Sequence, residues 1–195
     1  MTRFIPIAVT AGRGLCGPVV AACLLAGHSR VAFWIFVFAA LTDLIDGWLA
    51  RVLDSDRVLG AMLDPLADKL LGATGWIGLL WVGWAPLWLA GPLLVRDAVV
   101  AWLWRHYRGQ GVLWQANPIG QIATSYEGTA IAVLLFHGPW LGIHWPSVGV
   151  GIGLHGLLLS AVSALQYAIE GPPPAELPPE SSPPGEPLAA PSLAR

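Results

Sequence analysis

Apolar positions in this chain do not alternate with polar ones, and they do not recur only every third or fourth residue. They run together in blocks of about 20 residues, the length a helix needs to cross a bilayer. Six such blocks are readable: Ile5 to Ala26, Val31 to Leu53, Val58 to Val82, Pro86 to Tyr107, Pro118 to Phe136 and Trp145 to Ile169. Breakers separate them. Gly27-His28-Ser29, Asp54-Ser55-Asp56, Gly83-Trp84-Ala85, Gly109-Gln110-Gly111 and His137-Gly138-Pro139 each interrupt the apolar pattern. Pro86 and Pro118 stand where helices start, and a missing N–H costs nothing there. The pattern predicts an all-α fold, an integral membrane bundle of about six transmembrane helices.

Past Gly171 the pattern stops. The remaining residues are rich in Pro, Ser, Ala and Glu and have too little apolar side chain to bury a core. The expected organisation is therefore a membrane domain over residues 1–170 and a Pro-rich disordered tail over 171–195.

Composition supports the membrane reading. Of 195 residues, 55% are hydrophobic and only 11% charged, against about a quarter in soluble domains. Ten Lys and Arg face twelve Asp and Glu with no basic block, which excludes an ordinary nucleic-acid binder. Eleven Trp fit a chain with two membrane-water boundaries. Two cysteines, Cys16 and Cys23, offer no disulfide framework. Arg13 interrupts the first apolar run, and no small-residue cleavage site follows it. Arg3, Arg51, Arg57, Arg105 and Arg108 collect at one set of helix ends, with only Arg30 at the other. The positive-inside rule then puts both termini in the cytoplasm and Trp84, Trp88, Trp140 and Trp145 at the outer boundary.

The chemistry lies in carboxylates placed where they are costly. Asp43 and Asp46 fall in the second block, Asp64 and Asp68 in the third. Each charge at mid-membrane costs about 2.5–3.5 kcal/mol on insertion scales, so the group must be compensated. At 100° per residue, Asp43, Asp46, Gly47 and Ala50 share one stripe. Gly60, Asp64 and Ala67 share another, with Asp68 beside it. The short Asp54-Ser55-Asp56-Arg57 connection would let the two stripes face each other near the cytoplasmic end. Four carboxylates without His or Cys suit Mg²⁺ or Mn²⁺, and magnesium commonly shares its shell with substrate phosphates. Elsewhere in the blocks, Lys69 is expected to pair with a neighbouring Asp, and Asp97 and Glu127 to hydrogen-bond between helices. The five histidines lack metal-ligand spacing.

Residues 43 to 68 read D-L-I-D-G-W-L-A-R-V-L-D-S-D-R-V-L-G-A-M-L-D-P-L-A-D. This run resembles the signature of the CDP-alcohol phosphotransferases, D-x2-D-G-x2-A-R-x8-G-x3-D-x3-D. Asp43, Asp46, Gly47, Ala50, Arg51, Gly60, Asp64 and Asp68 fill every fixed position. The resemblance implies a six-helix membrane enzyme of the cytoplasmic face of the cell inner membrane, functioning as a homodimer. It implies two Mg²⁺ ions, with Mn²⁺ as a substitute, held by Asp43, Asp46, Asp64 and Asp68, and Asp68 as general base. Gly47, Arg51 and Gly60, with Arg57 and Thr10, are implied to bind the CDP portion of CDP-diacylglycerol. The family's first-helix pattern, P-N-x-x-T-x-x-R, is matched at Pro6, Thr10 and Arg13, while Ile7 stands where Asn is usual.

The implied reaction is transfer of the phosphatidyl group from CDP-diacylglycerol to an alcohol, with release of CMP. Leu63 to Lys69 resembles the branches whose acceptor is glycerol 3-phosphate or phosphatidylglycerol. Arg96-Asp97 is closer to the phosphatidylglycerol branch. Gly120-Gln121-Ile122-Ala123-Thr124 lacks a Lys usual in both, which leaves other acceptors such as inositol phosphate, serine or choline open. The rival from a different class is a non-enzymatic divalent-cation membrane protein, which gives no reason for the G-x3-D-x3-D spacing.

Overall fold

The computed structural model describes residues 4–52, 60–109 and 117–170. In them the chain forms six helices: α1 (Phe4–Leu25), α2 (Ser29–Val52), α3 (Gly60–Trp81), α4 (Leu87–Gly109), α5 (Pro118–Phe136) and α6 (Trp145–Glu170). Each apolar block of the sequence is one helix. Among the described residues, α5 and α6 are long and apolar enough to cross a membrane, with mean hydropathies of 1.2 and 1.8.

The connections follow from their glycines. After α1, Gly27 has φ +79°, and the His28 N–H donates to the Cys23 carbonyl at 2.8 Å. After α3, Gly83 has φ +73°, and the Trp84 N–H donates to the Leu79 carbonyl at 2.9 Å. Both ends are Schellman caps, in which a residue without Cβ takes the left-handed conformation and the last carbonyls find donors. The start of α5 is capped by Asn117, whose side chain accepts the Gly120 N–H at 2.7 Å, with Pro118 at the first helical position.

The α5–α6 connection departs from the all-α expectation. Pro139–Trp140 (β1) and Ile143–His144 (β2) pair as a short antiparallel ribbon. Leu141 and Gly142, with φ 55° and 72°, form its two-residue turn, both in the positive-φ conformation that matches strand twist. Four residues of strand leave the architecture helical.

Three helical hairpins result, α1–α2, α3–α4 and α5–α6. Packing is most extensive between α5 and α6 and between α1 and α3, while α2 rests on α1 and α5, and α4 on α3 and α6. Close approach of α1 and α3 depends on Gly17, where a Cβ would fall 2.4 Å from Thr74 Oγ1 and 3.2 Å from the Leu70 carbonyl. The core contains Val20, Phe36, Trp76, Leu89, Ile131 and Leu134. Cys16 and Cys23, both free and half-buried, pack against it. Outward faces remain apolar, with Trp34, Phe38, Trp81, Val95 and Leu158 all exposed, as a lipid-facing surface requires.

A charged cluster and a cavity beside Asp68

Asp97 and Glu127 are buried, at 7% and 3% exposure, and a buried carboxylate persists only with partners. Three helices supply them. Lys69 of α3 and Arg96 of α4 both pair with Asp97 Oδ1, the Arg96 contact at 2.9 Å. Arg96 also reaches Glu127 Oε2 of α5 at 3.3 Å, Thr124 Oγ1 at 3.2 Å and the Gly120 carbonyl at 3.1 Å. Trp76 of α3, fully buried, donates its indole N–H to Glu127 Oε1 at 2.9 Å. Two cations face two anions, so the cluster is neutral overall and fastens α3, α4 and α5 together. The pairing expected for Lys69, Asp97 and Glu127 is thus present. The role of Trp76 is not readable from the sequence. Its residue type reads as a boundary aromatic, whereas a buried indole N–H needs an acceptor and finds one in Glu127.

A cavity of about 490 Å³ opens beside this cluster between α2, α3 and α5. Asp68, Lys69, Asp97 and Glu127 are among its polar lining residues, and Phe36 and Ile131 among the apolar ones. The hydroxyls along α5 are turned onto their own helix. Thr124 donates to the Gly120 carbonyl, Ser125 to that of Gln121, and Thr129 to that of Ser125. Gly128 leaves open space, with nothing within 4 Å of where a Cβ would stand.

The expected site residues distribute as follows. Asp43, Asp46, Gly47 and Arg51 lie on α2, Gly60, Asp64 and Asp68 on α3, and Thr10 on α1. Of these, the side chain of Asp68 is described, and it lies on the cavity wall. The side chains of Asp43, Asp46, Arg51, Asp64 and Thr10, the surroundings of Gly47 and Gly60, the whole of Arg57, and the tail over 171–195 lie outside the described residues. Among the described residues no three His, Cys, Asp or Glu side chains cluster as metal ligands. The fit of a metal therefore rests on donor chemistry. Asp68 presents a carboxylate to a cavity, and the signature adds three carboxylates with no softer ligand, a set suited to Mg²⁺.

Several further polar groups join elements to one another. Asn117 accepts from Ser163 Oγ at 2.7 Å and donates to Gln166 at 2.8 Å, tying the start of α5 to the end of α6. His137 stacks on Trp84 with ring centroids 3.5 Å apart, and His144 is bonded to Ser147 at 2.8 Å. Burial and the nearby His144 hold the His137 pKa below its ordinary value of 6.5.

A helical membrane bundle whose acidic signature spans two helices, with the last carboxylate on a cavity, defines a phosphoryl-group transferase of the membrane. Residues 3–162 match the CDP-alcohol phosphatidyltransferase family, and the chain belongs to it. Over 134 residues it is 32% identical to the Bacillus subtilis (strain 168) CDP-diacylglycerol–glycerol-3-phosphate 3-phosphatidyltransferase, covering 68% of this chain and 69% of that protein. A Cereibacter sphaeroides protein of the same name is 32% identical over 141 residues, covering 69% of this chain and 64% of its own. A Schizosaccharomyces pombe cardiolipin synthase (CMP-forming) / mitochondrial hydrolase fusion protein is 35% identical over 96 residues, covering 49% of this chain and 16% of its own. The chain is a phosphatidyltransferase of this family.

Proposed function

We propose that this enzyme transfers the phosphatidyl group of CDP-diacylglycerol to glycerol 3-phosphate in the cell inner membrane, releasing CMP. The observation that carries the reading is Asp68, the last residue of a complete family signature, on the wall of a cavity between helices. Relatives that cover about two thirds of the chain bear names specifying this donor and this acceptor.

In the proposed arrangement all six helices span the bilayer, with both termini and the acidic stripes at the cytoplasmic side. Asp43, Asp46, Asp64 and Asp68 would hold two Mg²⁺ ions, whose chemistry there is to neutralise the donor pyrophosphate and the departing CMP. Gly47 and Gly60, Arg51, and with them Arg57 and Thr10, would bind the CDP portion. A guanidinium at position 51 can fork onto two phosphate oxygens. Asp68 takes the proton of the acceptor hydroxyl. The oxygen then forms a bond to the phosphorus that carries diacylglycerol, and the bond from that phosphorus to CMP breaks, its electron pair leaving with CMP.

A second acceptor, phosphatidylglycerol, is favoured by the Arg96-Asp97 pair, which resembles that branch. The test of the common chemistry is CMP release from CDP-diacylglycerol by purified protein in detergent. Mg²⁺ or Mn²⁺ should support it and EDTA should stop it, with Ca²⁺ a poor substitute because it prefers longer bonds and more ligands. Undiminished turnover in chelator would refute the metal assignment.

A further inference from the structure

The cavity beside Asp68 carries cationic donors at one place. Among its described lining residues Lys69 is the only cation, and it directly follows Asp68 on α3. The hydroxyls of Thr124, Ser125 and Thr129 are spent on backbone carbonyls of their own helix. A ligand with an anionic group entering this cavity therefore meets Lys69 as its donor.

The partners of Lys69 allow it to leave its resting place. Its ammonium pairs with Asp97, and its side chain is 21% exposed. Asp97 has a second cation, Arg96, at 2.9 Å. Arg96 is itself pinned by Glu127, Thr124 and the Gly120 carbonyl. If Lys69 swings into the cavity, Asp97 keeps a charge partner and the buried cluster keeps its joints. Lys is suited to that exchange, since it has three donors on a flexible stem, whereas the fork of Arg is held by its geometry.

We infer that Lys69 receives the phosphate of the acceptor, exchanging Asp97 for it, while the neighbouring Asp68 faces the acceptor hydroxyl. The ligand class is a small alcohol bearing a phosphate, and the inference rests on the glycerol 3-phosphate reading above.

The test is steady-state kinetics of Lys69→Met with each substrate varied in turn. One lost hydrogen-bonded charge contact corresponds to roughly a 10- to 100-fold rise in KM for glycerol 3-phosphate. The KM for CDP-diacylglycerol should stay within about threefold, and Lys69→Arg should recover part of the loss because it restores the charge. If Lys69→Met does not fold, Lys69→Gln, which keeps a hydrogen bond to Asp97, should show the same split. An unchanged KM for glycerol 3-phosphate, or an equal loss toward both substrates, would overturn the role. Absence of any transfer to glycerol 3-phosphate by the unaltered enzyme would instead refute the acceptor reading on which it rests.

Discussion

At the residue scale, Asp68 separates base chemistry from packing. It lies on the cavity wall and closes the acidic signature. Asp68→Asn preserves shape and removes the proton acceptor. A lost positioned base costs about 10²–10⁴-fold in rate, and weakened metal binding would add to that. The variant should therefore insert and fold with transfer reduced at least a hundredfold, read as CMP release per folded protein. Turnover near that of the unaltered enzyme would remove Asp68 from the base role. Lys69, one position on, shows why charge in a helix has to be read with its neighbours. Its pairing was expected, but its partner comes from another helix, 28 residues away. Sequence gives the need for a counter-charge and only the fold says which one answers.

At the element scale, two features follow from close contacts. Gly17 lets α1 lie against α3, and an added methyl would overlap Thr74 Oγ1 at 2.4 Å. Thr74 is already engaged with the Leu70 carbonyl at 2.7 Å, so the strain passes into the helix pair. Gly17→Ala should cost about 1–3 kcal/mol by overpacking, measured as a lower unfolding temperature in detergent. A variant as stable as the parent would show that the two helices can separate freely. The α5–α6 connection gives a pH dependence. Burial, and then the nearby His144, lower the His137 pKa below its ordinary 6.5 in the folded chain. Between the two pKa values the unfolded chain binds more of this proton than the folded one. The stabilising contribution is thus present above pH 6.5 and is lost as pH falls toward the folded pKa. His137→Phe, which keeps a ring over Trp84, should flatten the fall in unfolding temperature between pH 7 and pH 5. An unchanged slope would exclude His137 as its source.

The same elements show what was legible beforehand. The helix ends fell within a few residues of the apolar block ends because Gly27 and Gly83 both break the pattern and adopt the positive φ that closes the helix. The ribbon over 139–144 was not legible, since two-residue strands carry no alternation to read. Of the eight signature positions, Asp68 is the one whose side chain is described, and it lines the cavity. The Trp76–Glu127 bond and the Asn117 junction were not legible because each joins residues about 50 positions apart, and the cavity was not because its walls come from α2, α3, α4 and α5; no local period encodes such contacts.

At the scale of the whole molecule, the chain divides its work unevenly. The family match ends at residue 162, and the described helices reach Glu170. Residues 171–195 contribute no apolar block and no signature carboxylate. A protein truncated after Glu170 should retain full turnover and normal membrane insertion. Loss of activity in an inserted truncation would assign the tail a role that its composition does not indicate. Within the bundle, charge is compensated in two ways. The inner cluster balances itself with Lys69 and Arg96 against Asp97 and Glu127. The signature adds four carboxylates that, in the proposed function, metal and substrate would balance, so turnover should need both.

The central claim is the identity of the transfer, and the most direct measurement is the mass of the lipid formed. Purified protein in detergent is given CDP-diacylglycerol, Mg²⁺ and glycerol 3-phosphate, with phosphatidylglycerol and other alcohols in parallel reactions. CMP release should be matched by a lipid with the combined mass of the phosphatidyl group and glycerol 3-phosphate. Cardiolipin from phosphatidylglycerol would move the acceptor to the second reading and keep the chemistry. No CMP and no new phospholipid with any alcohol, from folded protein supplied with Mg²⁺, would contradict the account.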